Sequence, residues 1–144
     1  EGVTNYVTPV GMNELLEEKQ KLIDEKDQLE LTNENEKRIA VNHINAKLQL
    51  LNNRISTAKL ISLEDQPKNE VRFGAWVTLK IGSQTKLQRY QIVGVDEADI
   101  SKRKISFISP IAQILTNKKV GEKAILKLAK GDRVFEVIQI DYAP

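Results

Sequence analysis

The sequence predicts an α+β protein: an N-terminal antiparallel helical hairpin, a coiled coil, followed by an antiparallel sheet domain that carries one short helix. Three observations lead there. Between residues 12 and 60, apolar side chains recur at heptad spacing with no Pro or Gly among them. From Val71 onward the period changes to two, and single glycines mark the breaks. Between the halves, Ser62 to Glu70 (SLEDQPKNE) is polar and contains Pro67, as a connector does. The domains are therefore read as residues 1–64 and 65–144.

The first helix has a start signal in Thr8-Pro9, with Thr8 as cap and Pro9 in the tolerated first turn. A single straight helix over residues 12–60 would reach about 73 Å, too long for so small a protein. The pattern breaks once, at Thr32-Asn33-Glu34-Asn35, where short polar side chains compete for the backbone. A bend is expected there. Before it lies the stripe Leu15, Leu22, Leu29, with Met12 and Leu16 beside it. After it come Val41, Ile44, Leu48, Leu51, Ile55 and Ala58, a cleaner seam for a partner helix. Two helices folding on each other satisfy both stripes within a monomer. The rival is a long isolated helix that dimerises between chains through the same seam.

In the second half, Val71 to Ile81 reads as a strand pair or a strand bent at Gly74. Gly82-Ser83 makes a turn, and Leu87–Val93 the next strand. Lys104–Ile108 follows as a strand, Pro110–Leu115 as a short helix, and Ala124–Lys127 as another strand. After a turn at Gly131-Asp132, Val134–Ile140 is the most β-branched strand of the chain.

Composition excludes several chemistries. There is no cysteine, so disulfides, thiolate metal sites and cysteine catalysis are out. One histidine, His43, cannot build a zinc site or a catalytic triad without partners, and it reads as a surface or seam-edge residue. No phosphate-binding glycine motif is present. No apolar run approaches the roughly 20 residues of a membrane span. The opening EGVTNYV has neither an initiator Met nor a signal-peptide layout, and a cytoplasmic location is expected. Net charge is only +2, but residues 1–64 hold 8 Lys and Arg against 11 Asp and Glu, whereas residues 65–144 hold 14 against 9. Such asymmetry suggests different neighbours for the two halves.

Three clusters remain as candidates. Glu30, Glu34 and Glu36, with Asn33 and Asn35, gather at the bend; carboxylates on a rigid arm could offer a Mg²⁺ ligand to another protein's site, or simply solvate a loop. Asp96-Glu97-Ala98-Asp99 reads as an acidic turn at a strand end or a charge that protects a sheet edge. Lys102, Arg103, Lys104, Lys118, Lys119 and Lys123 fall on turns, without the interleaved aromatics that base stacking would need.

Taken together, these residues resemble a known family. Tyr6-Val7-Thr8-Pro9-Val10-Gly11 opens the hairpin and Ser56-Thr57-Ala58-Lys59-Leu60-Ile61 closes it. Val71-Arg72-Phe73-Gly74-Ala75-Trp76-Val77-Thr78-Leu79, Ile92-Val93-Gly94, Asp96-Glu97-Ala98-Asp99, Ile105-Ser106, Ser109-Pro110-Ile111-Ala112 and Phe135-Glu136-Val137-Ile138 through Tyr142 follow in order. The chain is similar to the Gre transcript cleavage factors of bacterial RNA polymerase over nearly its whole length. That resemblance implies an FKBP-like C-terminal domain docked at the polymerase secondary channel. Ser109, Pro110 and Ile111 would form part of the docking surface, and the coiled-coil finger would enter the channel. It also implies that the factor is no enzyme. An acidic tip, D-x-x-E-N-A-E-Y, helps the polymerase hold a second Mg²⁺ and hydrolyse backtracked RNA. No intrinsic cofactor is implied beyond that shared Mg²⁺, and DNA and RNA are met only through the elongation complex.

The tip departs from the family pattern. Its nearest match is Glu30-Leu31-Thr32-Asn33-Glu34-Asn35-Glu36, with no Asp and no following Tyr. The finger is shorter by roughly 16 residues, about 8 per arm, which loses on the order of 12 Å of reach. The expected function is therefore transcription regulation by occupancy of the channel. The alternatives are true cleavage stimulation through Glu30 and Glu34, and, from another class, an FKBP-type prolyl isomerase.

Overall fold

In a computed structural model, residues 3–30 and 33–143 are described. The chain begins with a short strand, β1 (Tyr6–Val7), then α1 (Pro9–Asp27), α2 (Glu34–Thr57) and β2 (Lys59–Leu60). The sheet domain follows with β3 (Trp76–Ile81), β4 (Gln88–Val93), β5 (Lys104–Ser106), α3 (Pro110–Leu115), β6 (Lys123–Leu128) and β7 (Gly131–Asp141).

The hairpin forms as the heptads require. Leu15 of α1 and Leu51 of α2 are buried together with Val7, and Met12, Leu22, Ile55 and Ala58 pack around them. The seam is filled from within one chain, which removes the driving force for the dimeric single-helix alternative. His43 is exposed on α2.

The bend lies earlier than the expected 32–35. The last residue of α1 is Asp27, and α2 already begins at Glu34. The reason is Asn33. Its Oδ1 accepts from the N–H groups of Asn35 (2.9 Å) and Glu36 (3.1 Å), so the polar residue starts a helix rather than breaking one. Thr32, also assigned to the bend, lies outside the described residues, as does Leu31 of the tip.

The main sheet has the order β5-β4-β3-β7-β6 and is antiparallel except where β4 runs parallel to β5. Alternation places Val77 and Leu79 of β3 and Phe135 and Val137 of β7 on the inner face, where they bury against Ala112 and Leu115 of α3. The expected strand at Val71–Phe73 does not form. Ala75 N–H closes a turn onto the Arg72 carbonyl (3.1 Å), and β3 begins only at Trp76. Leu63, from the connector, is buried in this same core.

Hydrogen bonds fasten the C-terminus. The Tyr142 hydroxyl donates to the Glu70 carbonyl (2.6 Å) and accepts from the Arg72 N–H (2.8 Å). Burial pushes its pKa above the ordinary tyrosine value.

Candidate functional site

Finger and sheet meet at a joint that the sequence signalled only in pieces. β1 and β2 pair in parallel and bring both ends of the hairpin together. Thr8 caps α1, accepting from the Gly11 N–H (3.0 Å), and its own hydroxyl donates to Glu97 Oε1 (2.5 Å). Glu97 Oε2 accepts from the Lys104 ammonium at 2.9 Å. Glu97 is only 8 % exposed, and its two oxygens are taken by a helix cap and a strand.

A second tie lies nearer the surface. The Arg54 guanidinium donates to Asp96 Oδ2 (2.7 Å) and to Asn5 Oδ1 (2.8 Å). Asn5 Nδ2 in turn donates to the Arg54 carbonyl (2.7 Å). Among the described residues no buried side-chain polar atom is left without a partner. The joint is thus a satisfied network of the kind that fixes one geometry.

Glycines permit the close approach. A Cβ on Gly94 would lie 2.0 Å from the Tyr6 carbonyl oxygen, and one on Gly11 2.5 Å from Glu97 Oε1. In the first the obstacle is backbone, which cannot give way; in the second Glu97 would have to move, and with it the network it holds. The acidic turn is therefore neither a loose cluster nor an edge guard. Asp96 holds α2, Glu97 holds α1, and Asp99 accepts from the Ser101 hydroxyl (2.6 Å). That last bond is the main cause that holds the Asp99 carboxyl below its usual range.

At the far end, Glu30, Asn33, Glu34, Asn35 and Glu36 are all exposed. Asn35 Oδ1 accepts from Arg38 (2.7 Å), and Asn33 is occupied as the cap. Glu34 and Glu36 stand two residues apart on one helix, so their side chains diverge. Glu30 precedes the helix. No three His, Cys, Asp or Glu side chains among the described residues converge as a metal site. The residues do not fit a self-contained Mg²⁺ site, so a metal they met would have to be held mainly elsewhere.

Ser109, Pro110 and Ile111 lie together at the start of α3, with different duties. Ser109 is the cap, its Oγ accepting from the Ala112 N–H (3.3 Å). Ile111 packs against the sheet core, while Pro110 is exposed. Ile108, which the sequence reading did not single out, is 42 % exposed beside it. The preceding Phe107 stacks edge-on with Tyr6 at 5.4 Å and with Phe73 at 5.7 Å. This aromatic trio connects the loop directly to the base of the finger.

The basic residues divide as well. Lys104 is committed to Glu97, and Arg103 donates to Gln88 (2.6 Å) and Tyr90 (3.1 Å).

Comparison with known proteins decides the family. Residues 66–142 match the model described as transcription elongation factor, GreA/GreB, C-terminal. The chain belongs to the GreA/GreB family. A GreB of Pseudomonas aeruginosa is 33 % identical over 101 residues, covering 70 % of this chain and 60 % of that protein. A GreA of Orientia tsutsugamushi is 40 % identical over 96 residues, covering 67 % and 60 %. The match thus spans about three-fifths of these curated Gre relatives. Among solved structures, GreA factor homolog 1 of Thermus thermophilus aligns over 96 % of this chain and 99 % of its own, at 21 % identity and a TM-score of 0.44.

The isomerase alternative finds no support in this Gre-family chain. Trp76, the only tryptophan, lies on the face of β3 opposite the core, with the Arg89 guanidinium 4.3 Å above its ring. Tyr6, Phe73 and Phe107 are occupied by one another. A cleft of about 270 Å³ at the joint has a mixed lining, with Val7 and Leu15 beside Glu14, Glu18, Asp96 and Lys102, and contains no aromatic side chain. No described helix is long and apolar enough to cross a membrane.

Proposed function

We propose that this Gre-family protein binds bacterial RNA polymerase at the secondary channel and regulates transcription by occupying it. The observation that carries the reading is the tip. Its carboxylates sit on a short arm without the Asp of the family pattern, and Glu34 and Glu36 diverge, which favours occupancy over metal delivery. The arm itself is stiff, about 28 Å along α1, and the joint holds it to the sheet domain at one angle. Pro110 and Ile108 supply the exposed docking loop, and α3 and the Phe107 stack hold them in place.

A second reading is cleavage stimulation through Glu30 and Glu34. Neither makes an ion pair among the described residues, so either is available to a metal outside the chain. In both readings the chemistry belongs to the polymerase.

The test is RNA cleavage in a purified backtracked elongation complex, run beside competition against an authentic Gre factor. Competition without cleavage is the expected result. Cleavage abolished by Glu30→Gln and Glu34→Gln would establish the second reading instead. Pro110→Ala should weaken polymerase binding with the circular dichroism spectrum unchanged; equal binding would overturn the docking assignment.

A further inference from the structure

The end of the sheet opposite the finger carries a charge that the proposed function does not use. β3 runs away from the joint and β4 returns to it, so the turn between them lies at the distal end. The β6–β7 turn lies beside it, because the Gly82 N–H donates to the Val134 carbonyl at 2.8 Å. Residues 80–87 and 123–136 hold six cations, Lys80, Lys86, Lys123, Lys127, Lys130 and Arg133, against two carboxylates, Asp132 and Glu136. The surplus of four compares with a net charge of +2 for the whole chain. All six cations are exposed, and among the described residues none makes an ion pair within 4.0 Å.

Register sharpens the pattern. Lys80 and Lys123 both lie opposite Glu136, one on each side, and Lys127 opposite Asp132. Those three share two carboxylates across the strands. Lys86 and Lys130 lie in the two turns and Arg133 lies opposite Leu126, on the other face of the hairpin from Lys123 and Lys127; none of the three has a carboxylate opposite it.

We infer that this distal end of the sheet, with cations on both faces of the hairpin and in the two turns, binds the phosphate backbone of double-stranded DNA, without sequence preference. Clustered cations gain affinity by releasing the counterions condensed on a duplex. The partner is a nucleic acid rather than an acidic protein because five of the six cations are Lys, a residue depleted from protein interfaces. The partner is a duplex rather than a single strand because this end has no aromatic on which bases could stack. Trp76 is held under Arg89, and Tyr90 hydrogen-bonds Arg103. Exposed Leu87 and Leu128 nearby make an acidic protein the competing occupant. The inference does not depend on polymerase docking.

The test is fluorescence anisotropy of a labelled duplex of about 20 base pairs against the full chain, over a range of salt. Lys86→Glu, Lys130→Glu and Arg133→Glu together should lower affinity by about tenfold or more and flatten the salt slope by about 2 to 3. The control, Lys21→Glu, Lys37→Glu and Lys47→Glu on the finger, changes net charge equally and should bind like wild type. If the first variant fails to fold, the corresponding Gln substitutions give the same comparison without reversed charge. Equal loss in the control, or no duplex binding by wild type, would overturn the site. Tighter binding of a labelled polyglutamate peptide would assign this end to an acidic protein. Tighter binding of a single-stranded RNA of the same length would overturn the duplex assignment.

Discussion

The two ends of the finger use the same residue types for opposite purposes. At the base, Glu97, Asp96, Lys104 and Arg54 neutralise one another, and Thr8 and Asn5 complete the network. At the tip, Glu30, Glu34 and Glu36 stand in water with only local caps around them. A carboxylate that is buried and paired holds geometry, and removing its partner is costly. One that is exposed contributes little to stability and is available to something outside the molecule. The base therefore sets where the finger points, and the tip determines what it can do on arrival.

The contrast predicts a descending series of effects. Glu97→Ala should be the most damaging, about 3 to 5 kcal/mol by urea denaturation, because it strands the Lys104 ammonium and the Thr8 hydroxyl. A loss below about 1 kcal/mol would mean that the joint does not hold the finger. Gly94→Ala forces the new Cβ against the Tyr6 carbonyl and should cost about 3 kcal/mol, with faster proteolysis between residues 1 and 10 as β1 detaches.

Tyr142→Phe serves as a comparison outside the joint. It removes two hydrogen bonds and should cost about 1 to 2 kcal/mol. It also carries a pH signature. The folded state holds the phenol proton more tightly than the unfolded chain, so the stabilisation is complete below the unfolded pKa of about 10. Stability then falls as pH rises through the folded value. The Phe variant should lack that alkaline fall, and a retained fall would assign it to another group.

The smallest effect belongs to the tip. Glu30→Gln, Glu34→Gln and Glu36→Gln together should change stability by about 0.5 kcal/mol or less. Most of that change would be lost interaction with the N-terminus of α2. A larger loss would place the tip in the same class as the base and remove the contrast.

Much of this was legible along the chain. The heptads of Leu15, Leu22, Ile44 and Leu51 prescribe a hairpin, and alternation in Val134–Ile140 prescribes a strand, because both patterns are local and periodic. Pro110–Leu115 is the helix that Ser-Pro announces. The bend lies earlier than the pattern predicts because capping and breaking use the same side chains, and only the bonds of Asn33 distinguish them. Val71–Phe73 has the pattern of a strand, two apolar residues around a charge, and only the turn onto Arg72 shows that it is none.

The duties of the acidic turn belong to tertiary structure alone. Sequence by itself determined the class of the fold, the two periods, the lack of thiol chemistry and the family resemblance. It could not say that Glu97 meets Thr8, because the two residues are 89 positions apart. Nor could it say that Gly11 and Gly94 are small to let finger and sheet touch. Such pairings depend on how the finger and the sheet pack together, and periodicity records each one's own core but not the surface by which it meets the other.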